Sequence, residues 1–272
     1  MDLPTDSLPQ SLTGCRIATR RVIHRRAKTT NAQVPESLRF GAMVVTACAA
    51  FFGLAAGAFV PRVAHRWAAT ACTACARPFP AGVTGWVRAG AACRCHPPPR
   101  LLPAGSALSG GLLGVALGPV VILPVLLLAA ILAAVLAEID MRFLRLPDPL
   151  VGALAVVVLL PLTLTNLSHV GRATAAAALV GLGYLILAML AGGGLGLGDV
   201  KLAAVLSTAL GFAGWSAVLI GVVVPHLING SIALFLLLKR RAHRGTALPF
   251  GPALLFGALI ALSATVEEVN AL

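Results

Sequence analysis

The sequence predicts an all-α polytopic membrane protein with about eight transmembrane helices and a small cytoplasmic Cys-rich loop. Three observations carry this. Of 272 residues, 58% are hydrophobic and only 11% charged, where a soluble domain carries about one quarter charged residues. The apolar residues fall into long runs. The basic residues fall between those runs, on alternate sides.

Apolar stretches occupy 41–60, 101–118, 120–139, 149–166, 171–191, 200–212, 214–238 and 249–266. A full crossing takes roughly 20 residues, so the sixth stretch is short. Only Pro119 separates the second from the third, and counting those two as one gives seven crossings. The apolar bulk is Ala, Leu, Val and Gly with 5% aromatics, and small residues let helices approach closely.

Charge tests the count. With the 61–100 segment in the cytoplasm, strict alternation assigns thirteen basic residues to cytoplasmic junctions: Arg62, Arg66, Arg77, Arg88, Arg94, Arg100, Arg142, Arg145, Lys201, Lys239, Arg240, Arg241 and Arg244. Arg172 alone falls outside. This is the positive-inside pattern. It explains the net charge of +12 as membrane orientation, so no nucleic-acid partner is expected and the lipid bilayer is. It also brings Asp140 and Asp199 to the same cytoplasmic face.

The tail 1–40 departs from the pattern, because it is basic and alternation would put it outside. It lacks the small-x-small cleavage context of a secretory signal. A translation start at Met43, heading the first span, removes the conflict; a basic arm retained inside is the alternative.

Acidic residues are few. Between Phe40 and Val266 there are four: Glu138, Asp140, Asp148 and Asp199. A carboxylate at membrane depth costs a few kcal/mol, roughly 2.5–3.5 on insertion scales, so one kept there marks a functional candidate. Asp199 closes the glycine-rich run "GGGLGLGDVK" (192–201), a poor membrane helix but a good compact bend. Non-helical backbone at membrane depth is tolerated where protein buries it or water reaches it. Two carboxylates brought together there cannot both ionise easily, and sharing one proton makes an acid and a base in one site. The rival readings are a helix-capping role for Asp199 and an ion or proton pathway through Asp140 and Asp199. A phosphate loop is excluded, since no G-K-[ST] follows and no strand precedes.

Four of the six cysteines cluster as Cys72-Thr73-Ala74-Cys75 and Cys93-Arg94-Cys95-His96. Two knuckles of Cys and His suit a tetrahedral structural zinc. Cys72, Cys75 and Cys93 are the firmer ligands, with Cys95 or His96 as the fourth.

The stretches "IDMRFLRLPD" (139–148) and "GLGLGDVK" (194–201) together resemble the type IV prepilin peptidase family of GxGD-type intramembrane aspartic proteases. Asp140 stands eight residues before Asp148, with Leu146-Pro147 in place, and Gly196-Leu197-Gly198-Asp199 makes the G-x-G-D motif, followed by Val200-Lys201. "LPFGPALLFGAL" (248–259) is similar to the family's last span, and "GAFVPRVAHRW" (57–67) to a worn form of its first motif. The resemblance covers 41–266 in order.

It implies Asp140 and Asp199 as the catalytic dyad, supported by Gly196, Gly198, Lys201, Pro147 and Asp148. Glu138 is expected on another helical face, and Asp148 to cap the fourth span or position the loop. The substrates implied are prepilin or pilin-like proteins, cleaved behind a short basic leader at the cytoplasmic face of the inner membrane. Many members also N-methylate the product with S-adenosylmethionine. Here Ala58 and Pro61 replace the usual Ser and Asn, and the second cysteine pair is compressed, departures that count against methylation but not against cleavage. The expected organisation is a tail at 1–40, the first span and degenerate methyltransferase-associated loop at 41–105, a peptidase bundle at 106–266 and a short tail at 267–272. Two other classes remain open: a proton- or cation-coupled transporter using the same aspartates, and a non-catalytic zinc-binding assembly protein.

Overall fold

The computed structural model describes residues 36–68, 71, 75–76, 78, 101–190, 195–241 and 248–265. The chain divides into two compact units, Met1–Phe40 and Gly41–Leu272, and the architecture below is that of the second. Among its described residues the regular secondary structure is helical, apart from an isolated bridge between Ala71 and Pro78.

In chain order the helices are α1 (Glu36–Gly57), α2 (Val60–Ala68), α3 (Leu101–Leu117), α4 (Leu123–Phe143), α5 (Asp148–Thr165), α6 (Val170–Leu190), α7 (Leu197–Ala213), α8 (Trp215–Leu238) and α9 (Gly251–Ala264), with a 3-10 turn at Leu167–His169. Each of the eight apolar stretches corresponds to a helix. Five are long and apolar enough to cross a membrane: Phe40–Gly57, Leu123–Phe143, Asp148–Thr165, Leu167–Leu190 and Trp215–Leu238. Leu102–Leu117 and Gly251–Ala264 are apolar but shorter.

The ninth helix, α2, was not among the apolar stretches. Its sequence VPRVAHRWA is amphipathic. Val60 and Ala64, four residues apart, are fully enclosed, and the helix packs on α4. Its Trp67 is 43% exposed. An apolar stripe opposite Arg62 and Arg66, with a tryptophan at one end, suits a helix lying in the membrane interface.

The short α7 is an interior helix. It packs against α5, α6, α8 and α9, and eight of its residues are buried, from Asp199 and Leu202 to Phe212 and Ala213. Enclosed on all these sides, it need not match the bilayer thickness with apolar length. By contrast α6 buries only Ala173, Ala176 and Tyr184 and exposes Leu179, Leu182, Ile186 and Leu187, a lipid-facing composition.

Close packing relies on small residues. Gly53 and Gly57 of α1 face Ser106 of α3, and Gly110 and Gly114 of α3 face Ala49 and Thr46 of α1. A Cβ on Gly57 would lie 2.7 Å from Ser106 Cβ, and one on Gly114 2.9 Å from Thr46 Cα. Gly211 of α7 meets α6 in the same way, with Ala173 Cα 2.7 Å from where its Cβ would be.

Arg172, the one basic residue on the outer side by charge pattern, caps α7. Its Nε donates to the Gly211 carbonyl at 2.6 Å, and its guanidinium also reaches the Phe212 carbonyl. These carbonyls end a helix and have no intrahelical partner. A structural task accounts for this exception to the charge bias.

Candidate active site

Asp140 sits in the last turn of α4 and is 4% exposed. The helix stops just beyond it because Leu144 adopts the left-handed conformation (φ 51°, ψ 41°) and its N–H bonds back to the Asp140 carbonyl at 2.9 Å. The chain then runs through Leu146 to Pro147, the N-cap of α5. A left-handed non-glycine residue costs about 1–2 kcal/mol, and here it turns the L-P-D segment back over the end of α4.

The Asp140 carboxylate is held from the far end of the chain. The N–H of Gly251, first residue of α9, donates to Asp140 Oδ2 at 2.9 Å. This N–H is one of the unsatisfied donors at a helix start, where the backbone is electropositive. Only glycine permits the approach, because a Cβ on Gly251 would stand 2.9 Å from Oδ2 and 3.2 Å from Cγ.

Asp199 is also buried, at 9% exposure. The rival reading of Asp199 as the N-cap residue does not hold. The N-cap of α7 is Gly196, and Asp199 lies three residues inside the helix. From there its carboxylate reaches back to the Gly196 backbone, which is half of a capping box. Its Oδ1 is buried without a hydrogen-bond partner. The two carboxylates lie within electrostatic reach of each other.

Gly198 lets the α7 start press on the L-P-D loop, since a Cβ there would lie 2.9 Å from Leu146 Cβ. The same two segments are joined at the rim by Lys201 Nζ and Asp148 Oδ2, 2.7 Å apart. Both side chains are more than half exposed, so the pair guides register more than it stabilises. Asp148 itself falls in the first turn of α5, behind the capping Pro147.

All seven residues singled out in the two motifs (Asp140, Pro147, Asp148, Gly196, Gly198, Asp199 and Lys201) line one cavity of about 860 Å³. This size suits a ligand or peptide segment. Arg142, Arg145 and Trp67 are also among its walls. Glu138 is buried but turned away from the cavity, paired with Arg142 one helical turn on.

Of the expected zinc ligands, Cys72, Cys93, Cys95 and His96 lie outside the described residues. Cys75 is described and exposed. Among the described residues no group of three His, Cys, Asp or Glu side chains is arranged to hold a metal.

Sequence reasoning had not placed Gly251 or Trp67 in the site. Each belongs to a segment already noted, L-P-F-G-P and "GAFVPRVAHRW". The missing signal was the fold, which carries both to the Asp140 end of α4.

A helical membrane protein that gathers two buried carboxylates and their glycine supports into one cavity at the bundle's end has the parts of an intramembrane hydrolase. The model of the type IV leader peptidase family matches residues 126–265, from α4 to the end of α9, and the chain belongs to that family. It is therefore a peptidase-family protein of a membrane. No curated protein and no solved structure is significantly similar to it.

Proposed function

We propose that this protein is an aspartic endopeptidase that removes the short basic leader from type IV prepilins or pilin-like proteins at the cytoplasmic face of the inner membrane, with Asp140 and Asp199 as its dyad. The observation that carries this reading is the shared cavity, in which both motif segments contribute a buried carboxylate held by a backbone N–H. The charge bias of the loops supports the cytoplasmic face.

In this mechanism the dyad holds one proton. The ionised carboxylate takes a proton from water as its oxygen attacks the scissile carbonyl, and the protonated partner donates to the carbonyl oxygen. Collapse of the tetrahedral intermediate breaks the C–N bond. The proton gained from water goes to the leaving amine, which is the new N-terminus, and the other returns to the dyad. The acid and base roles belong to the pair. The N–H groups of Gly251 and Gly196 fix the two carboxylates without further reorganisation.

Residues 106–266 form the peptidase bundle in this reading, and 41–105 the membrane-proximal segment with the cysteine knuckles. A zinc held by Cys72, Cys75, Cys93 and either Cys95 or His96 would brace that segment, and no cleavage step runs through it. Metal analysis of the purified protein and of Cys72→Ser tests this. N-methylation with S-adenosylmethionine would belong to the same segment, and mass analysis of a cleaved product decides it.

The test of the main reading is cleavage of co-expressed prepilins in membranes by wild type, Asp140→Asn and Asp199→Asn. Each variant should accumulate uncleaved substrate while reaching wild-type abundance. Cleavage by either variant removes that aspartate from the dyad.

A further inference from the structure

Three large apolar side chains stand exposed on the walls of the cavity that holds Asp140 and Asp199. They are Trp67 of α2, Leu144 just past α4 and Leu197 at the start of α7. Leu144 is 50% and Leu197 64% exposed. Exposed leucines along α6 suit contact with lipid, but these three come from separate segments and share one cavity with both buried acids.

The turn after α4 does not need a side chain at Leu144. Its backbone is left-handed (φ 51°, ψ 41°), a conformation that glycine takes freely and leucine takes at a cost. A bulky residue held there and half exposed gains little from packing within the chain. Strained residues of this kind collect where a ligand is received. Leu197 is likewise the one apolar side chain between Gly196 and Asp199.

Trp67 reaches the cavity because α2 is fastened to α4. Val60 and Ala64 are enclosed, the two helices pack together, and His65 meets Phe143, the residue before Leu144, edge-on at 6.1 Å. This helix lies upstream of residues 126–265, which the family model matches. One wall of the cavity is therefore supplied from outside the matched region.

Charge decides which part of a substrate fits these walls. Arg142 is paired with Glu138 and Lys201 with Asp148, while among the described residues no carboxylate pairs with Arg145, which also lines the cavity. A basic leader laid here would meet a like charge. An apolar side chain would cover the three exposed groups and leave the guanidinium in water.

We propose that Trp67, Leu144 and Leu197 form the subsite that receives the apolar side chain on the helix side of the scissile bond, with the basic leader leaving the cavity away from them. The inference rests on the prepilin peptidase reading and adds the residues that set the substrate's register on the dyad.

The test uses the full-length protein in membranes and a prepilin that the wild type cleaves. Leu144→Gly removes the side chain and keeps the left-handed turn, so the fold is spared. Leu144→Gly and Trp67→Ala should each raise KM by about 10-fold with kcat little changed, and Trp67→Phe should restore most of the affinity. Shortening the substrate's apolar residue to Ala should raise KM for the wild type and remove most of its advantage over the two variants, because a contact already lost cannot be lost again. Unchanged KM in both variants would overturn the subsite, as would a rise by the same factor for native and shortened substrates. In either case inactive Asp140→Asn and Asp199→Asn leave the dyad standing. Reduced abundance of Trp67→Ala at unchanged KM would make Trp67 a membrane anchor and overturn the inference. Activity in the aspartate variants would remove the dyad, and the subsite with it.

Discussion

The Gly251 N–H and the Asp140 carboxylate meet at 2.9 Å although 111 residues separate them in sequence. This contact joins the end of α4 to the start of α9 and immobilises one oxygen of a buried acid. It also makes glycine at 251 a requirement of the site and not only of the turn, because a Cβ there would stand 2.9 Å from the same oxygen.

Gly251→Ala is expected to displace Asp140 and to lower peptidase activity by about 10²-fold, the cost of roughly 1 Å of misplacement at a reacting group. The helix start itself tolerates alanine, so thermal stability in detergent should fall little. Comparing cleavage rate with melting temperature separates the two. A large loss of stability at unchanged activity would contradict the contact's proposed role.

Gly198→Ala drives a methyl group to 2.9 Å from Leu146 Cβ. The α7 start and the L-P-D loop must then separate, which moves Asp199 relative to Asp140. Activity should drop while the Lys201–Asp148 pair at the rim loosens. A combined Gly198→Ala, Leu146→Gly variant, which removes the opposing Cβ, should recover part of the loss, read as initial cleavage rate.

Lys201→Ala and Asp148→Ala should each change stability by less than about 1 kcal/mol, because the pair is solvent-exposed. A double-mutant cycle on unfolding in detergent measures the coupling, and raised salt should reduce it. Strong coupling in detergent would contradict the weak contribution expected of an exposed pair.

A dyad that works with one shared proton requires a bell-shaped pH profile. Cleavage should fall at low pH, where both carboxyls are protonated and no base remains. It should fall again at high pH, where both are ionised and the acid is lost. Measuring kcat/KM against pH on the free enzyme checks this, and a single sigmoid would contradict it.

Arg172→Ala should destabilise the protein by about 1–3 kcal/mol, since two carbonyls at the end of α7 lose a charged donor. The site lies at the other end of that helix, so kcat should hold in the fraction that remains folded. Thermal unfolding with parallel activity measurement reads both.

Much of this protein was legible one residue at a time. Apolar run length located eight helices, five of them long enough to cross a membrane, because backbone removed from water must satisfy its hydrogen bonds within each helix. The alternation of basic loops with bare ones paired the Asp140 and Asp199 ends. The spacing of L-P-D and G-x-G-D marked the residues that the cavity gathers. These signals are local in the chain, and local sequence carries them. The amphipathic α2 escaped notice because a nine-residue helix of this kind has low mean hydropathy and a stripe visible only on helical projection.

What the tertiary structure alone decided was which distant groups touch. No local pattern says that the α9 start supplies a donor to Asp140, that Arg172 closes the far end of α7, or that Asp199 leaves one oxygen unpaired. Nor does hydropathy reveal that α7 is sheathed by four neighbours and can therefore be short. Such relations depend on how helices pack, and packing is set by the joint fit of surfaces from many segments, small residues at Gly53, Gly57, Gly110, Gly114 and Gly211 among them. The sequence by itself determined the membrane, the helices and the two acids. Packing determined the distance and orientation at which those acids meet, because both are properties of several helices at once.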